Sequence, residues 1–287
     1  MGLRIMKLLC VCLVICVINF THGTAFADKL RIAVMQDEKN SAENFKLLAE
    51  YLKGKGIEVS LIYAENYPFA AKMFSTGIVD AMFSSSGVAA VMMMKDLAVP
   101  AVRHIHKDGT STYKAVIIAP KNSPKYTETA DYFKNKKVVF TPLASAGEFY
   151  FYSIQGIASV NAIPVKAVSH DAAIGLLAQG AADIAIVKNH VWNKIKSRYP
   201  NLAFVGEDDG ENPEGPLIFS KKVSPELISK VTEVLLSLKN DDSQQARAVR
   251  DKLDIQGFVK TTNSDFKHTF ELLKKAGVDK SFNFTFK

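Results

Sequence analysis

Residues 136–160 read KKVVFTPLASAGEFYFYSIQGIASV, and this stretch decides the fold class. It holds a short apolar run at 138–140, a loop of small residues at 141–147 and a long apolar segment from residue 148. The run predicts a buried strand, and the segment predicts a helix at 148–159. A strand that leads through a short loop into a helix is the building unit of α/β folds.

The loop at 141–147 allows two interpretations. Backbone N–H groups at the start of a helix point at one spot and attract an anion. Ser145 and Glu148 also have the spacing of a capping box, which would satisfy the same N–H groups internally. The sequence leaves open whether Ser145, Ala146 and Gly147 contact a ligand or whether the loop caps its own helix.

The same alternation of strand and helix continues on both sides of this stretch. Strands are predicted at 30–35, 57–63 and 79–83, and again at 162–168, 183–187 and 202–205, with helices between them. Residues 225–239, 243–253 and 264–275 are predicted helices. The alternating phenylalanines of the tail at 281–287 predict a half-buried strand.

A repeated motif divides the chain into two parts. GIVDAMF at 77–83 and GAADIAIV at 180–187 each place a glycine before an Asp-containing buried strand. We therefore predict two Rossmann-like α/β lobes, with lobe one at 28–115 and 220–287 and lobe two at 116–219. Extended segments at 112–119 and 216–220 would cross between them, and the tail would pack on lobe one.

Two facing lobes predict a shared cleft. Ligands of open α/β sheets bind beyond the carboxyl ends of the strands, so the loops after the strands of both lobes should line it. Closure of the lobes around a ligand is the expected motion.

Residues 1–27 have the pattern of a secretory signal peptide. Arg4 and Lys7 precede an apolar run at 8–20, and cleavage is expected after Ala27. A retained membrane anchor is the alternative, although the run is short for a span. The cysteines all lie in this segment, at Cys10, Cys12 and Cys16. The exported chain would therefore have neither disulfides nor thiol chemistry.

The charge distribution argues against nucleic-acid binding. The formal net charge is +7, and Arg4 and Lys7 contribute to it from within the leader. The basic residues are scattered and form no stripe with interleaved aromatics. Mild basicity suits an anionic ligand or an acidic surface.

Five segments together carry a resemblance to a known family. LRIAVMQDE, GIVDAMF, TYKAVIIAP, KKVVFTPLASAG and VSHDAAIGLLAQGAADIAIV follow one another along the chain. Their order and spacing resemble the phosphate- and phosphonate-binding proteins of ABC importers, over nearly all of the chain after the leader. The resemblance implies a type II periplasmic binding fold, with two lobes joined by two hinge strands. It also implies delivery of an oxyanion to a membrane permease.

The ligand residues implied by the resemblance carry over in part. Four positions match the family: Tyr67, Ser145, His170 and Asp171. The family's Ser-Thr-Ser in the lobe-two loop falls on 144–146, where only Ser145 keeps a hydroxyl, and Glu148 adds a negative charge nearby. The family tyrosine after the third strand falls near Ala89. The family acid that can meet an aminoalkyl group falls on Lys188.

The predicted ligand-binding residues are Tyr67, Ser84, Ser85, Ser86, Ser145, Ala146, Gly147, His170, Asp171 and Lys188. Each has a structural alternative. Residues 84–86 could form only a turn and an N-cap, His170 could be only a helix-start residue, Tyr67 could simply pack, and Lys188 could be solvated.

Metal, cofactor and catalytic groups are not expected. His104 and His106 share one strand face, but no cysteine or carboxylate cluster stands beside them in the sequence. The chain has no GxSxG, P-loop or GxGxxG motif.

The sequence predicts a periplasmic monomer that closes on a small phosphonate- or phosphate-like anion and partners an ABC permease. It predicts no enzyme activity and no nucleic-acid partner. One alternative is the same fold with an altered site, acting as a sensor or partner-binding protein for a membrane system. An exported hydrolase is a third, weaker hypothesis.

Overall fold

A computed structural model describes residues 29–35, 42–142, 145–284 and 286. The predicted signal peptide lies outside these residues, as do residues 36–41, Leu143 and Ala144. Within them, no helix is both long enough and apolar enough to span a bilayer.

The strands are short, as expected for an α/β protein. They are β1 (Leu30–Met35), β2 (Val59–Ala64), β3 (Ala81–Phe83), β4 (Ala98–His106), β5 (Thr112–Tyr113), β6 (Ala115–Pro120), β7 (Lys137–Phe140), β8 (Ile163–Lys166), β9 (Ile184–Lys188), β10 (Leu202–Glu207), β11 (Asn212–Pro213), β12 (Leu217–Ser220) and β13 (Ile255–Lys260).

Helices fill most of the connections between these strands. They are α1 (Lys46–Gly54), α2 (Tyr67–Thr76), α3 (Ser86–Met94), α4 (Ala146–Ser153), α5 (His170–Ala178), α6 (Asn189–Ile195), α7 (Pro225–Ser237), α8 (Gln244–Leu253) and α9 (Lys267–Lys275).

The two large sheets share one design. The strand orders are β13-β4-β12-β3-β1-β2 and β10-β6-β9-β7-β8. In each, three parallel strands (β2, β1 and β3, or β8, β7 and β9) are extended by an antiparallel strand, β12 or β6. The predicted α/β fold of two Rossmann-like lobes is confirmed.

The repeated Asp motif has the same structural role in both sheets. The carboxylate of Asp80 accepts a hydrogen bond from the backbone N–H of Arg31 at 2.9 Å. Asp183 accepts one from the backbone N–H of Lys137 at 2.7 Å. Each Asp lies just before its strand rather than within it, and it fixes the start of the neighbouring parallel strand.

The chain crosses between the sheets along a two-stranded ladder. β5 pairs antiparallel with β11, so that Tyr113 lies opposite Asn212. The returning segment then passes close to β4, where Gly215 has φ +51° and a Cβ would collide with the ring of His104. β12 pairs with β3 and β4 of the first sheet. The predicted boundary between the lobes, at 219/220, falls inside this strand. The lobe limits stay a prediction.

Three hydrophobic clusters hold the layers together. One packs α1, α7 and α8 against the first sheet, and another packs α5 and α6 against the second. The third joins the sheets, since it contains Met82 of β3 and Ile186 of β9 together with Phe149 of α4 and Leu273 of α9. Full burial of a side chain such as Phe149 stabilises by about 1.5–3 kcal/mol.

One helix prediction was wrong at its boundaries, and one strand was not predicted. The helix predicted at 148–159 begins at Ala146 and ends at Ser153, because Ile154 is extended and Gly156 adopts φ +82°. A short 3-10 helix, Ile157–Ser159, follows. The C-terminal region is not all helical, since β13 pairs with β4 at the edge of the first sheet.

The phenylalanines of the tail do not form the predicted strand in the residues described there. Phe286 stacks on Tyr152 of α4, with ring centroids 4.7 Å apart and planes 4° apart. Phe282 contacts both Phe284 and Phe286. The tail therefore packs on a helix of the second lobe, where we expected the first.

Gly147 allows α4 to approach the second sheet closely. A Cβ there would collide with the carbonyl oxygen of Ile186 and lie 2.9 Å from Cβ of Phe140. We expect Gly147→Ala to lower the free energy of unfolding by at least about 1–3 kcal/mol, the usual range for overpacking, because backbone must move. Urea denaturation at pH 7 measures this.

Gly175→Ala is the matched control. Gly175 lies inside α5, and nothing stands within 4 Å of its added Cβ. This change should stabilise by roughly 0.5–1 kcal/mol. Equal effects of the two substitutions would contradict the close-approach role of Gly147.

Candidate functional site

Helix starts follow the parallel strands of both sheets, and serines cap three of them: Ser85 in α3, Ser145 in α4 and Ser169 in α5. Ser85 Oγ accepts from Val88 N–H at 3.2 Å at the start of α3. Ser145 Oγ accepts from Glu148 N–H at 3.3 Å at the start of α4, and its hydroxyl donates to the carbonyl of Thr141. Capping by Ser145, one of the two alternatives for this loop, is therefore present.

Several polar atoms beside these helix starts are buried without a hydrogen-bond partner. They include Ser84 Oγ after β3, Thr141 Oγ1 after β7 and His170 Nδ1 at the start of α5. A buried polar group without a partner costs about 1–3 kcal/mol, so such groups are retained where a ligand satisfies them. Both lobes supply them.

An ion pair connects the second lobe to the returning crossing. Lys188 Nζ donates to Glu214 Oε1 at 2.6 Å, and both side chains are largely buried. The ammonium lies 4.4 Å from the ring centroid of Tyr113, whose hydroxyl is hydrogen-bonded to Ser86. The pair thus ties the end of β9 to both crossing segments and to the start of α3.

The ion pair keeps Glu214 ionised. Burial alone would raise its pKa, but the ammonium of Lys188 and the imidazoles of His106 and His190 together hold the pKa well below its usual value. Lys188 and Glu214 therefore form an ion pair that has no net charge at pH 7.

Three histidines around this pair are uncharged at neutral pH. Burial lowers the pKa of His104 to about 4 and that of His170 to about 3, and in His170 the charge of Lys188 adds to the effect. Burial likewise lowers the pKa of His190 to about 4, against the attraction of Glu214. The region between the lobes is polar but carries little net charge.

The predicted residues have different roles in the structure. Ser86 and Lys188 both contact Tyr113, and the charge of Lys188 acts on His170, whereas Ser84 Oγ is buried after β3 without a partner. Ala146 and Gly147 are buried in the packing of α4, and Asp171 is exposed on α5. Tyr67 begins α2, but its side chain lies outside the described part of the structure.

Sequence reasoning missed four residues of this region, Tyr113, Thr141, His190 and Glu214, and it set aside two others, His104 and His106. They come from five separate segments, and no local motif connects them. The crossing ladder brings Glu214 next to β4, where the backbone N–H of His104 donates to the Glu214 carbonyl at 3.0 Å. The positions of His104 and His106 in the sequence give no sign that they lie next to the carboxylate of Glu214.

Two α/β lobes, two chain crossings and buried polar groups at the strand ends define a bilobal solute-binding protein of the periplasmic type. A family model for the periplasmic phosphonate substrate-binding protein of ABC transporters matches residues 31–266. The chain belongs to this family, whose members bind a small ligand outside the cytoplasm for a membrane permease.

Several solved structures share this fold. PhnD1 from Prochlorococcus marinus, in complex with methylphosphonate, is 20% identical and aligns over 86% of this chain and 98% of its own, with a TM-score of 0.70. XAC2383 from Xanthomonas citri, bound to chloride, is 13% identical over 86% of this chain and 97% of its own, with a TM-score of 0.72. A binding protein of a phosphonate transporter from Pseudomonas aeruginosa is 14% identical over 86% of both chains, with a TM-score of 0.66.

Removal of one member of the Lys188–Glu214 pair should be destabilising. Lys188→Met leaves the Glu214 carboxylate buried without its ammonium, and we expect a loss of about 3 kcal/mol in urea denaturation at pH 7.5. Lys188→Met/Glu214→Met should recover part of that loss, because no buried charge remains.

The exposed pair of Lys194 and Asp254, 3.4 Å apart, provides the control. Lys194→Met should change stability by less than about 1 kcal/mol. A double variant as unstable as the sum of its single variants would show that Lys188 and Glu214 do not interact energetically.

The buried histidines should make stability depend on pH. His170 has a pKa of about 3 when folded and 6.5 as its ordinary value, so the unfolded state binds the extra proton between these values. The contribution of His170 to the free energy of unfolding is therefore complete above pH 6.5. It decreases by up to about 1.4 kcal/mol per pH unit as the pH falls below 6.5.

Urea denaturation of the wild type and of His170→Gln between pH 8 and 4.5 tests this expectation. The variant should have the smaller slope below pH 6.5 and the same slope above it. Parallel curves over the whole range would show that His170 is not kept neutral by the fold. The range stops at pH 4.5 because Glu214 titrates below it in the unfolded chain.

Proposed function

We propose that this protein is the solute-binding component of an ABC importer and that its ligand is a compact oxyanion of the phosphonate class. The observation that carries the proposal is the set of buried, unpartnered donors from both lobes, Ser84 Oγ, Thr141 Oγ1 and His170 Nδ1. A tetrahedral oxyanion has several acceptor oxygens and can satisfy donors that approach it from two sides.

The electrostatics favour binding by neutral hydrogen-bond donors. Lys188 is neutralised by Glu214, and burial keeps His170 uncharged. Hydrogen bonds to a charged group contribute about 1.5–3 kcal/mol each, and fixed dipoles act strongly where water is excluded. The ligand therefore brings the charge, and the protein supplies oriented O–H and N–H groups.

The departures from the family pattern change which hydroxyls are used. Ala146 is buried in the packing of α4 and has no polar group, and Ser145 caps the helix. Thr141, at the start of the same loop, carries a buried hydroxyl oxygen that has no partner within the protein. We infer that Thr141 replaces a hydroxyl that the lobe-two loop lacks.

The finer features of the proposal follow from the sequence. We infer cleavage of the leader after Ala27, lobe limits at 28–115 with 220–287 and at 116–219, a monomeric protein, a partner permease and no catalytic activity.

A second function is supported by two features of the same site. The Lys188–Glu214 ion pair has no net charge, and Ser145 caps α4, so the site also suits sensing or a protein partner. A protein that binds none of the oxyanions tested would favour that second function.

The test is calorimetric titration with methylphosphonate, phosphate, sulfate and methanesulfonate. The protein is first unfolded, freed of carried-over ligand and refolded in buffer containing EDTA. We expect one oxyanion to bind at one site. Ser84→Ala and His170→Gln should each weaken it by about 10–100-fold, because each removes a hydrogen bond to a charged ligand.

Ser229→Ala is the matched control, since Ser229 is an exposed hydroxyl on α7 that bonds to Glu233. It should leave the affinity unchanged. Absence of heat with every oxyanion, or binding that survives both Ser84→Ala and His170→Gln, would refute the proposed site.

A further inference from the structure

Three side chains outside the proposed oxyanion contacts point their donor atoms at one place. His106 Nε2, His190 Nδ1 and Glu214 Oε2 lie within 4.8 Å of one another. The carboxylate oxygen is 3.8 Å from His106 Nε2 and 3.7 Å from His190 Nδ1. These distances are too long for hydrogen bonds.

All three donor atoms are buried and have no hydrogen-bond partner in the protein. This is a large concentration of unsatisfied groups, since native proteins rarely leave buried polar atoms without partners. The three share one further property, because a neutral imidazole nitrogen and a carboxylate oxygen both carry a lone pair. A cation that accepts lone pairs would satisfy all three at once.

The spacing of the donors suits a transition metal. Zn²⁺ bonds to His nitrogen and carboxylate oxygen at about 2.0–2.2 Å, so two ligands of a tetrahedral site lie roughly 3.4 Å apart. The two carboxylate–imidazole distances, 3.7 and 3.8 Å, need a contraction of a few tenths of an ångström. The two imidazole nitrogens, within 4.8 Å of each other, would close on the ion by a rotation of the partly exposed rings. Imidazole ligands favour zinc, copper, nickel and iron over magnesium and calcium.

We propose that His106, His190 and Glu214 form a binding site for a divalent transition-metal ion of the Zn²⁺ class. The set has three protein ligands, as in zinc sites that keep a position open for water or another ligand. The inference goes beyond the proposed function, because it uses none of the donors assigned to the oxyanion and stands without that ligand.

The metal would connect the two lobes. His106 ends β4 of the first sheet, His190 lies in the first turn of α6 in the second lobe, and Glu214 is on the returning crossing. Coordination requires these three segments to hold their relative positions. The ion is therefore expected to favour the arrangement in which the lobes are together.

Lys188 orients the carboxylate and also weakens the site. Its ammonium holds Glu214 Oε1 at 2.6 Å and leaves Oε2 directed at the imidazoles. The same positive charge repels a cation. Lys188→Gln keeps a hydrogen-bond donor and removes the charge, so it should tighten metal binding.

The two imidazole rings lie partly at the surface. The side chains of His106 and His190 are 25% and 26% exposed, whereas that of Glu214 is 9% exposed. Entry of an ion would therefore require movement of these two rings and not of the protein core.

The experiment is a titration of the tag-free, EDTA-stripped protein with CoCl₂ and with ZnCl₂ in a buffer free of phosphate and phosphonate. Bound Co²⁺ is followed by its visible d–d bands, and Zn²⁺ by displacement of Co²⁺. We expect one ion per chain with the bands of four- or five-coordinate Co²⁺. The variants are His106→Gln, His190→Gln, Glu214→Gln and, as a control, His268→Gln.

Each of the three ligand variants should weaken binding by more than about 100-fold, since even loss of an outer partner of a metal ligand weakens it by about 10–100-fold. His268, paired with Asp208 at 2.8 Å, should be dispensable. Lys188→Gln should bind more tightly than the wild type. Circular dichroism confirms that each variant is folded, and a variant that is not folded is replaced by the corresponding Asn substitution.

Three results would overturn the proposal: no d–d bands at stoichiometric Co²⁺, bands that persist in the double variant His190→Gln/Glu214→Gln, or equal loss in His268→Gln. Binding of 2-aminoethylphosphonate at this place, with loss of affinity in Glu214→Gln and no response to Co²⁺, would instead identify an ammonium pocket. Failure of the metal site leaves the oxyanion titration unaffected, because that titration is run in EDTA.

Discussion

The ion pair of Lys188 and Glu214 is the interaction on which the region between the lobes depends. One partner ends the central strand β9, and the other lies on the segment that returns to the first sheet. The two charges cancel, burial keeps His170 and His190 neutral, and Ser84 Oγ and Thr141 Oγ1 at the strand ends have no partner within the protein. Without the pair, a buried lysine or a buried carboxylate would dominate the field there.

Much of the fold could be predicted from local patterns, because strand and helix periodicities are properties of neighbouring residues. The two GxxD motifs even located equivalent positions in the sheets, where Asp80 and Asp183 fix the adjacent strand. The strand β13 was missed because it completes an edge of the first sheet and is separated from β4 by about half the chain.

The candidate site was harder to predict, since it depends on contacts between distant segments. Ser84 and His170 follow strands and could be proposed from position alone. Glu214 could not, because a polar turn in the sequence gives no sign that its carboxylate will face Lys188 and two imidazoles. Lys188 lies where the resemblance implies an acid, and the carboxylate beside it in the structure is that of Glu214 from the crossing.

The interleaved path of the chain sets the order in which the lobes can be completed during synthesis. The second sheet needs only residues from β6 to β10, whereas the first must wait for β12 and β13. When the chain is synthesised with its N-terminus first, the second lobe has all its strands before the first sheet is complete. At that stage β3 is exposed at the edge of the first sheet. The first lobe is then completed on a formed partner, and α9 and the tail after it are the last segments to pack on α4 and close the shared core.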